Sequence, residues 1–449
     1  MSSSRFGPGT TGGSLHRASR RSSTSRGGLG QAPAEREPLL FRVAMAVIAL
    51  HVLDDGFVNR EPGTSAGDHL ASGLVPVAVA VALAVAYPRL RAGARATVAL
   101  ACGALAMVYG IGVPVRHALI ERPTGDDFTG LLVAPAGVVL LLLGVFTLWR
   151  SRRLDEPPAR RYVRRLLWGL GALVLAYLVV VPIGFALIAT HEARESVEPA
   201  DLGRPHEPVS LTTSDGLRLS GWYVRSRNGA AVIAFPGRSG PVRHARMLAR
   251  HGYGVLLLDR RGEGDSEGDP NAYGWGGEPD LRAAVEYLRR RRDVDPGRIG
   301  GLGLSVGGEL LLQTAAHTPA LRAVVSEGAG KRSIREQMDT PDLPGWRAWA
   351  SPWLVQTPAL AVLSNHAAPP NLVDLAARIA PRAVFLIRAQ HGNQDEEMNR
   401  VYFEAAGRPK SLWEVPDGGH TGGLSARPRE YERRVTAFFD RRLLGRPAG

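Results

Sequence analysis

A chain of 449 residues is too long for one core of ordinary size, so length alone argues for two or three units. A formal charge of +13 and a pI near 10.5 raise nucleic-acid binding, yet there is no zinc-finger spacing, aromatic-glycine RNA-binding signature or helix-turn-helix pattern. The one cysteine, Cys102, lies in an apolar run, which excludes a disulfide framework and a cysteine-based zinc site within the chain.

Residues 1–37 are rich in Ser, Gly and Arg and nearly devoid of apolar side chains, so they read as a disordered basic tail. The following region, 38–190, is dominated by Ala, Val, Leu and Gly. It contains five apolar stretches, at about 39–58, 70–87, 97–115, 129–149 and 166–189. Each approaches the roughly 20 residues that cross a bilayer core. The first is the least regular, because His51, Asp54 and Asp55 interrupt its end. An interfacial helix is its alternative reading.

Arginine placement gives an expected orientation, since basic residues accumulate on the cytoplasmic side of short loops. Arg5, Arg17, Arg20, Arg21, Arg26 and Arg36 lie in the tail; Arg89, Arg91 and Arg95 follow the second stretch; Arg150, Arg152, Arg153, Arg160, Arg161, Arg164 and Arg165 follow the fourth. The intervening loops carry only Arg60, Arg116 and Arg122, among Asp54, Asp55, Glu61, Asp68, Glu121, Asp126 and Asp127. Five crossings with the tail inside put everything after Ala189 outside the cytoplasm; if the first stretch does not cross, the topology inverts. The chain is thus expected to be an integral membrane protein with an extracytoplasmic C-terminal part, joined through a linker at 191–206.

From 207 to 449 the composition becomes that of a globular domain. Val209–Thr213 and Leu217–Val224 flank the turn Ser214-Asp215-Gly216 and read as a hairpin. Runs at 231–235, 254–259, 299–304, 323–326, 383–387 and 412–415 then read as strands, most separated by helical patterns. Such alternation predicts an α/β fold, a mostly parallel sheet with helices on both faces, whose site collects at the carboxyl ends of the strands. The pentapeptide Gly303-Leu304-Ser305-Val306-Gly307 sits between a strand and a helix, the setting of a GxSxG nucleophile elbow. Because GxSxG arises readily by chance among 53 glycines, the flanking pattern carries the reading.

With Ala234-Phe235-Pro236-Gly237-Arg238 after the third strand, Asp259-Arg260-Arg261-Gly262-Glu263-Gly264-Asp265-Ser266 after the fourth, the elbow, and Pro416-Asp417-Gly418-Gly419-His420 after the last, residues 207–445 resemble the α/β-hydrolase superfamily. They are closest to its dienelactone hydrolase-like, esterase and prolyl-oligopeptidase-like serine hydrolases. The resemblance implies Ser305 as nucleophile, His420 as base, and the amides of Val306 and Arg238 as the oxyanion hole. An acid is expected a few residues past the seventh strand, but Arg388-Ala389-Gln390-His391-Gly392-Asn393-Gln394 contains no carboxylate. Asp395 is the first candidate, Glu396 the next, and Glu327 after the sixth strand the rival.

An insertion at 328–382, containing Trp346, Trp349 and Trp353, is where the superfamily commonly builds a lid, and these rings are candidates to line an apolar pocket. Packing of a small helical cap onto the core is the other reading. No cofactor, metal or nucleic acid is called for. The expected activity is a membrane-anchored serine hydrolase acting on an ester, amide or thioester of a small molecule, lipid or peptide through an acyl-enzyme. An acyltransferase is the alternative within that class, and a catalytically inactive binding or sensory module the alternative outside it.

Overall fold

The computed structural model describes residues 32–120, 125–151, 157–195, 197–198, 200–341, 344–346 and 352–446. Most of the basic tail, with Arg5, Arg17, Arg20, Arg21 and Arg26, lies outside the described residues, as do Glu121, Arg122, Arg152, Arg153 and Trp349.

The described residues of the N-terminal region form helices joined by turns: α1 (Ala32–Phe57), α2 (Leu70–Ala86), α3 (Ala92–Met107), α4 (Val113–Ile120), α5 (Gly125–Arg150), α6 (Pro158–Leu175) and α7 (Val181–Thr190). A π-helical turn joins α3 to α4 and another joins α6 to α7, giving two long continuous rods. Among the described residues, four spans are long and apolar enough to cross a membrane: Leu70–Arg89, Ala92–Ile120, Phe128–Arg150 and Pro158–Thr190. The first of the five expected stretches is not among them. Helix α1 has the length, but Arg42, Asp54 and Asp55 interrupt its apolar run.

Helix α1 nevertheless extends the full depth of the bundle, antiparallel to α2. Near its start, Glu37 accepts hydrogen bonds from Tyr87 and Thr147 and pairs with Arg95 at 3.4 Å. Near its end, Asp54 accepts from Thr129 at 2.7 Å and Asp55 from Tyr109 at 3.1 Å. Phe41, Ala44 and Met45 on α1 are buried with Ala80, Ala99, Ala136 and Leu140 of its neighbours.

The C-terminal region is an eight-stranded sheet in the order β1-β2-β4-β3-β5-β6-β7-β8. Its strands are β1 (His206–Thr212), β2 (Arg218–Val224), β3 (Ala231–Phe235), β4 (Gly254–Leu258), β5 (Ile299–Leu304), β6 (Leu321–Glu327), β7 (Ala383–Ala389) and β8 (Lys410–Val415). The β1–β2 hairpin and the β2–β4 pair are antiparallel, and every later pairing is parallel. The remaining helices are α8 (Val242–Arg250), α9 (Glu278–Arg289), α10 (Val306–His317), α11 (Ile334–Met338), α12 (Trp353–Leu363), α13 (Leu372–Ala376), α14 (Met398–Ala405), α15 (Gly423–Ala426) and α16 (Pro428–Phe439). Alternation along the strands divides the core between two faces. Ile233, Phe235 and Leu256 join α9, α10 and α13 on one side, while Val232, Ala234 and Leu257 join α8 and α16 on the other.

The sheet domain sits on the end of the bundle that carries Asp54 and Asp55. Arg194, just past α7, binds Glu61 at 2.6 Å and the Gly268 carbonyl at 2.7 Å. The Gly268 amide donates to the Pro62 carbonyl at 2.8 Å, and the Ala272 amide to the Ala189 carbonyl of α7 at 2.8 Å. Asn365, past α12, accepts from the amides of Ala71 and Ser72 at the start of α2, both at 3.0 Å.

Candidate active site

Ser305 lies between β5 and α10 at φ 50° and ψ −122°, a backbone conformation that a non-glycine residue adopts at a cost. The surrounding sequence makes it attainable. The Ser305 amide donates to the Glu327 carbonyl at 2.8 Å, and a Cβ on Gly307 would stand 2.6 Å from the Phe235 carbonyl oxygen. Only glycine at 307 lets helix and strand approach so closely, so the turn stays sharp and the hydroxyl projects from the carboxyl edge of the sheet.

His420 enters from the loop after β8. Its Nε2 lies 3.0 Å from the Ser305 Oγ, and its Nδ1 lies 2.7 Å from Glu396 Oε1. A carboxylate only accepts, so the imidazole carries its proton on Nδ1 and the serine hydroxyl donates to Nε2. Glu396 is buried, and its other oxygen accepts the Ala389 amide at 2.7 Å, which fixes the carboxylate plane. The hydrogen bond to Glu396 holds the His420 pKa above the ordinary imidazole value, against the opposing pull of burial. Close quarters also dictate residue 328: at φ +71° and with a built Cβ 3.2 Å from the His420 ring, the site needs glycine there.

Two expectations are corrected. Asp395 is not the carboxylate on His420; it pairs with Lys331 at 2.9 Å. The short 3-10 turn Gln394–Glu397 rotates successive side chains by about 120°, so one position of phase decides which acid faces the imidazole. Arg238 does not offer a free amide beside Ser305, because that N–H donates to Asp259 Oδ1 at 2.6 Å. Asp259 is buried at the end of β4, where it also takes the Arg238 Nε at 2.7 Å, and burial pushes its pKa up to about 6. The Val306 amide, at the first position of α10, makes no hydrogen bond among the described residues. Helix geometry leaves that donor available beside the Ser305 oxygen.

The rival acid, Glu327, is braced elsewhere. It accepts from the Gly423 amide and the Tyr431 hydroxyl, each at 2.7 Å, and so holds the segment just downstream of His420. The sequence reading missed a polar floor one helical turn into α10. There Glu309 accepts the Gly330 amide at 3.0 Å and pairs with Arg332 at 3.4 Å, and burial pushes its carboxyl up to about 7. The available signal was the dipeptide Lys331-Arg332 directly after β6, in a chain with only two lysines. Also missed was the loop after β4, where Tyr273 packs edge-on against Trp353 and accepts a hydrogen bond from Gln356. Trp353 was expected at a pocket wall or in a cap, and it stands beside this loop; Trp346 is 73% exposed. Among the described residues no cluster of His, Cys, Asp and Glu has the arrangement of a metal site.

A serine hydroxyl, an imidazole and a buried carboxylate in this sequence can withdraw the serine proton during attack on an electrophilic carbon. Comparison with known proteins bears on the kind of molecule that carries the arrangement. The family described as X-Pro dipeptidyl-peptidase (S15 family) matches residues 190–394. An uncharacterised protein of Mycobacterium tuberculosis is 32% identical over 223 residues, covering 47% of this chain and 71% of the relative. The alpha/beta hydrolase domain-containing protein WAV2 of Arabidopsis thaliana is 28% identical over 289 residues, covering 58% of this chain and 88% of its own. A solved esterase of Pyrococcus furiosus superposes with a TM-score of 0.45 at 23% identity, over 56% of this chain and 97% of the esterase. Sheet order, elbow and matched sequence agree: behind four apolar spans and a helix α1, residues 190–394 match the S15 family, and the chain belongs to the α/β-hydrolase superfamily of enzymes.

Proposed function

We propose that the protein is a membrane-anchored serine hydrolase that cleaves an ester, amide or thioester through an acyl-enzyme. The observation that carries this reading is the relay Ser305–His420–Glu396, at 3.0 Å and 2.7 Å. Ser305 Oγ bonds to the acyl carbon as its proton passes to His420 Nε2, and the Val306 amide stabilises the resulting oxyanion. Glu396 stabilises the imidazolium. As the tetrahedral species collapses, the bond to the leaving group breaks and that group takes the proton from Nε2. Water then repeats the sequence on the acyl-serine, leaving a carboxylic acid and free Ser305. Acyl transfer to another nucleophile follows the same steps with water replaced.

The orientation of the sheet domain is part of the proposal. Arg89, Arg95 and Arg150 lie at the bundle end that carries Glu37, opposite the end on which the sheet domain sits. The positive-inside rule applied to that asymmetry supports an extracytoplasmic domain, and the full-depth course of α1 supports an odd number of crossings.

Labelling of the full-length protein in membranes by a fluorophosphonate probe tests the reading. Strong labelling that disappears in Ser305→Ala and His420→Ala is expected. Absence of labelling from folded native protein refutes it in favour of the non-catalytic binding module.

A further inference from the structure

The segment between β6 and β7 does not fold back over the sheet alone. Its apolar helix α12 packs against α7 and α2, which belong to two of the apolar spans. Leu360 of α12 is fully buried with Ala186 and Ala189 of α7 and with Trp275 from the loop after β4. That loop is fixed to α7 by the Ala272–Ala189 backbone hydrogen bond, and its Gly274 lies directly under Val306, with a built Cβ 2.7 Å from the Val306 side chain. One short loop therefore touches both the helix end that adjoins Ser305 and the helix that leaves the bilayer. Helix α12 and the described residues before it expose large apolar side chains: Leu354 is 39% exposed, Met338 38% and Trp346 73%. A domain bathed in water on all sides has little reason to expose side chains of this kind. The helices they adjoin are lipid-facing, with Leu70, Leu74 and Phe185 about half exposed.

We propose that α12, with Met338 and Trp346, rests on the bilayer and that the substrate is a membrane-resident amphiphile, an acyl ester with a long hydrocarbon chain, which reaches Ser305 from the leaflet past α12. This rests on the serine-hydrolase reading and adds the substrate class and its route. The occupant of these exposed apolar side chains is lipid rather than a protein partner, because α12 packs against α7 and α2, helices whose own outer surfaces require lipid. A chain drawn from the leaflet keeps its apolar contact from bilayer to pocket, whereas a dissolved long-chain ester would first pass through water.

The test uses full-length protein in phosphatidylcholine–phosphatidylglycerol vesicles and compares hydrolysis of p-nitrophenyl palmitate dissolved in the vesicles with that of p-nitrophenyl acetate in the buffer. The native protein is expected to favour the palmitate by at least about tenfold in kcat/KM, since each buried methylene adds to transition-state binding. Trp346→Asp and Leu354→Glu, both at exposed positions, are each expected to lower the palmitate-to-acetate ratio by roughly tenfold. Equal or better turnover of acetate by native protein that a fluorophosphonate labels at Ser305 overturns the proposal and leaves the hydrolase reading standing. A ratio unchanged in both variants overturns the route. Native protein that takes no label removes the hydrolase reading and this inference with it.

Discussion

Glu396→Gln separates the acid seen on His420 from its sequence neighbour. Both carboxylate oxygens of Glu396 are in use, one on His420 Nδ1 at 2.7 Å and one on the Ala389 amide at 2.7 Å. Glutamine has one carbonyl oxygen. With that oxygen on Ala389, its NH2 faces Nδ1 and forces the imidazole into the tautomer whose Nε2 proton points at Ser305; with it on His420, two donors meet at Ala389. Either way one charge-assisted hydrogen bond is lost and a buried donor is left facing another. Each such change is worth about 1.5–3 kcal/mol. Together they approach 4 kcal/mol, or about a thousandfold in rate. The assay is hydrolysis of an activated ester by detergent-solubilised protein across pH, with Asp395→Asn alongside. Asp395 is turned to Lys331, so Asp395→Asn is expected to stay within about threefold of native. The pH profile adds a sign. Neutral His420 is the active base and Glu396 raises its pKa, so the rise of activity with pH is expected to move to lower pH in Glu396→Gln. Equal losses in the two variants, or a rise that moves to higher pH, refutes the assignment.

Two further outcomes follow from buried carboxylates nearby. Glu327→Gln keeps its oxygen on the Gly423 amide and turns its NH2 to the Tyr431 oxygen, so two charge-assisted hydrogen bonds become neutral ones; kcat is expected to fall a few-fold and the melting temperature to drop. Glu327 acts on His420 only through its charge, so the midpoint of the pH profile is expected to move to lower pH by less than in Glu396→Gln; a shift as large as that of Glu396→Gln would assign Glu327 to the imidazole instead. Glu309 has a folded-state pKa of about 7, above its ordinary value of 4.5, so the unfolded chain releases this proton first as pH rises. Its contribution to stability is therefore lost between pH 4.5 and about 7, by an amount on the order of 3 kcal/mol, and is constant above that window. Glu309→Gln is expected to flatten this part of the thermal-stability profile measured in micelles, and an unchanged slope removes Glu309 as its source.

Much of the fold was legible because its signals are local. The runs ending at Phe235, Leu304 and Val415 each stop at a turn rich in glycine, and strand–turn–helix context picked Ser305 from a chain in which GxSxG alone says little. His420 was legible from its loop after the last strand. The acid was not, because the phase of a single 3-10 turn chooses between Asp395 and Glu396, and composition carries no phase. The Arg238 amide escaped for a different reason: its acceptor, Asp259, comes from another strand, 21 residues away in sequence. Helix α1 shows the same limit. Its charges weaken it as an apolar span, yet Glu37 and Asp54 find partners on α5, a helix far along the chain.

The backbone bond from Ala272 to Ala189 and the burial of Trp275 against α7 bear on how the enzyme can be handled. Cutting the chain before His206 to obtain a soluble fragment would keep every strand, yet it would strip the cover from Trp275, Ala272 and Leu360. What emerged would be a sheet domain with an oily scar beside its nucleophile, prone to stick to its own copies and deprived of the support that shapes one wall of its cleft.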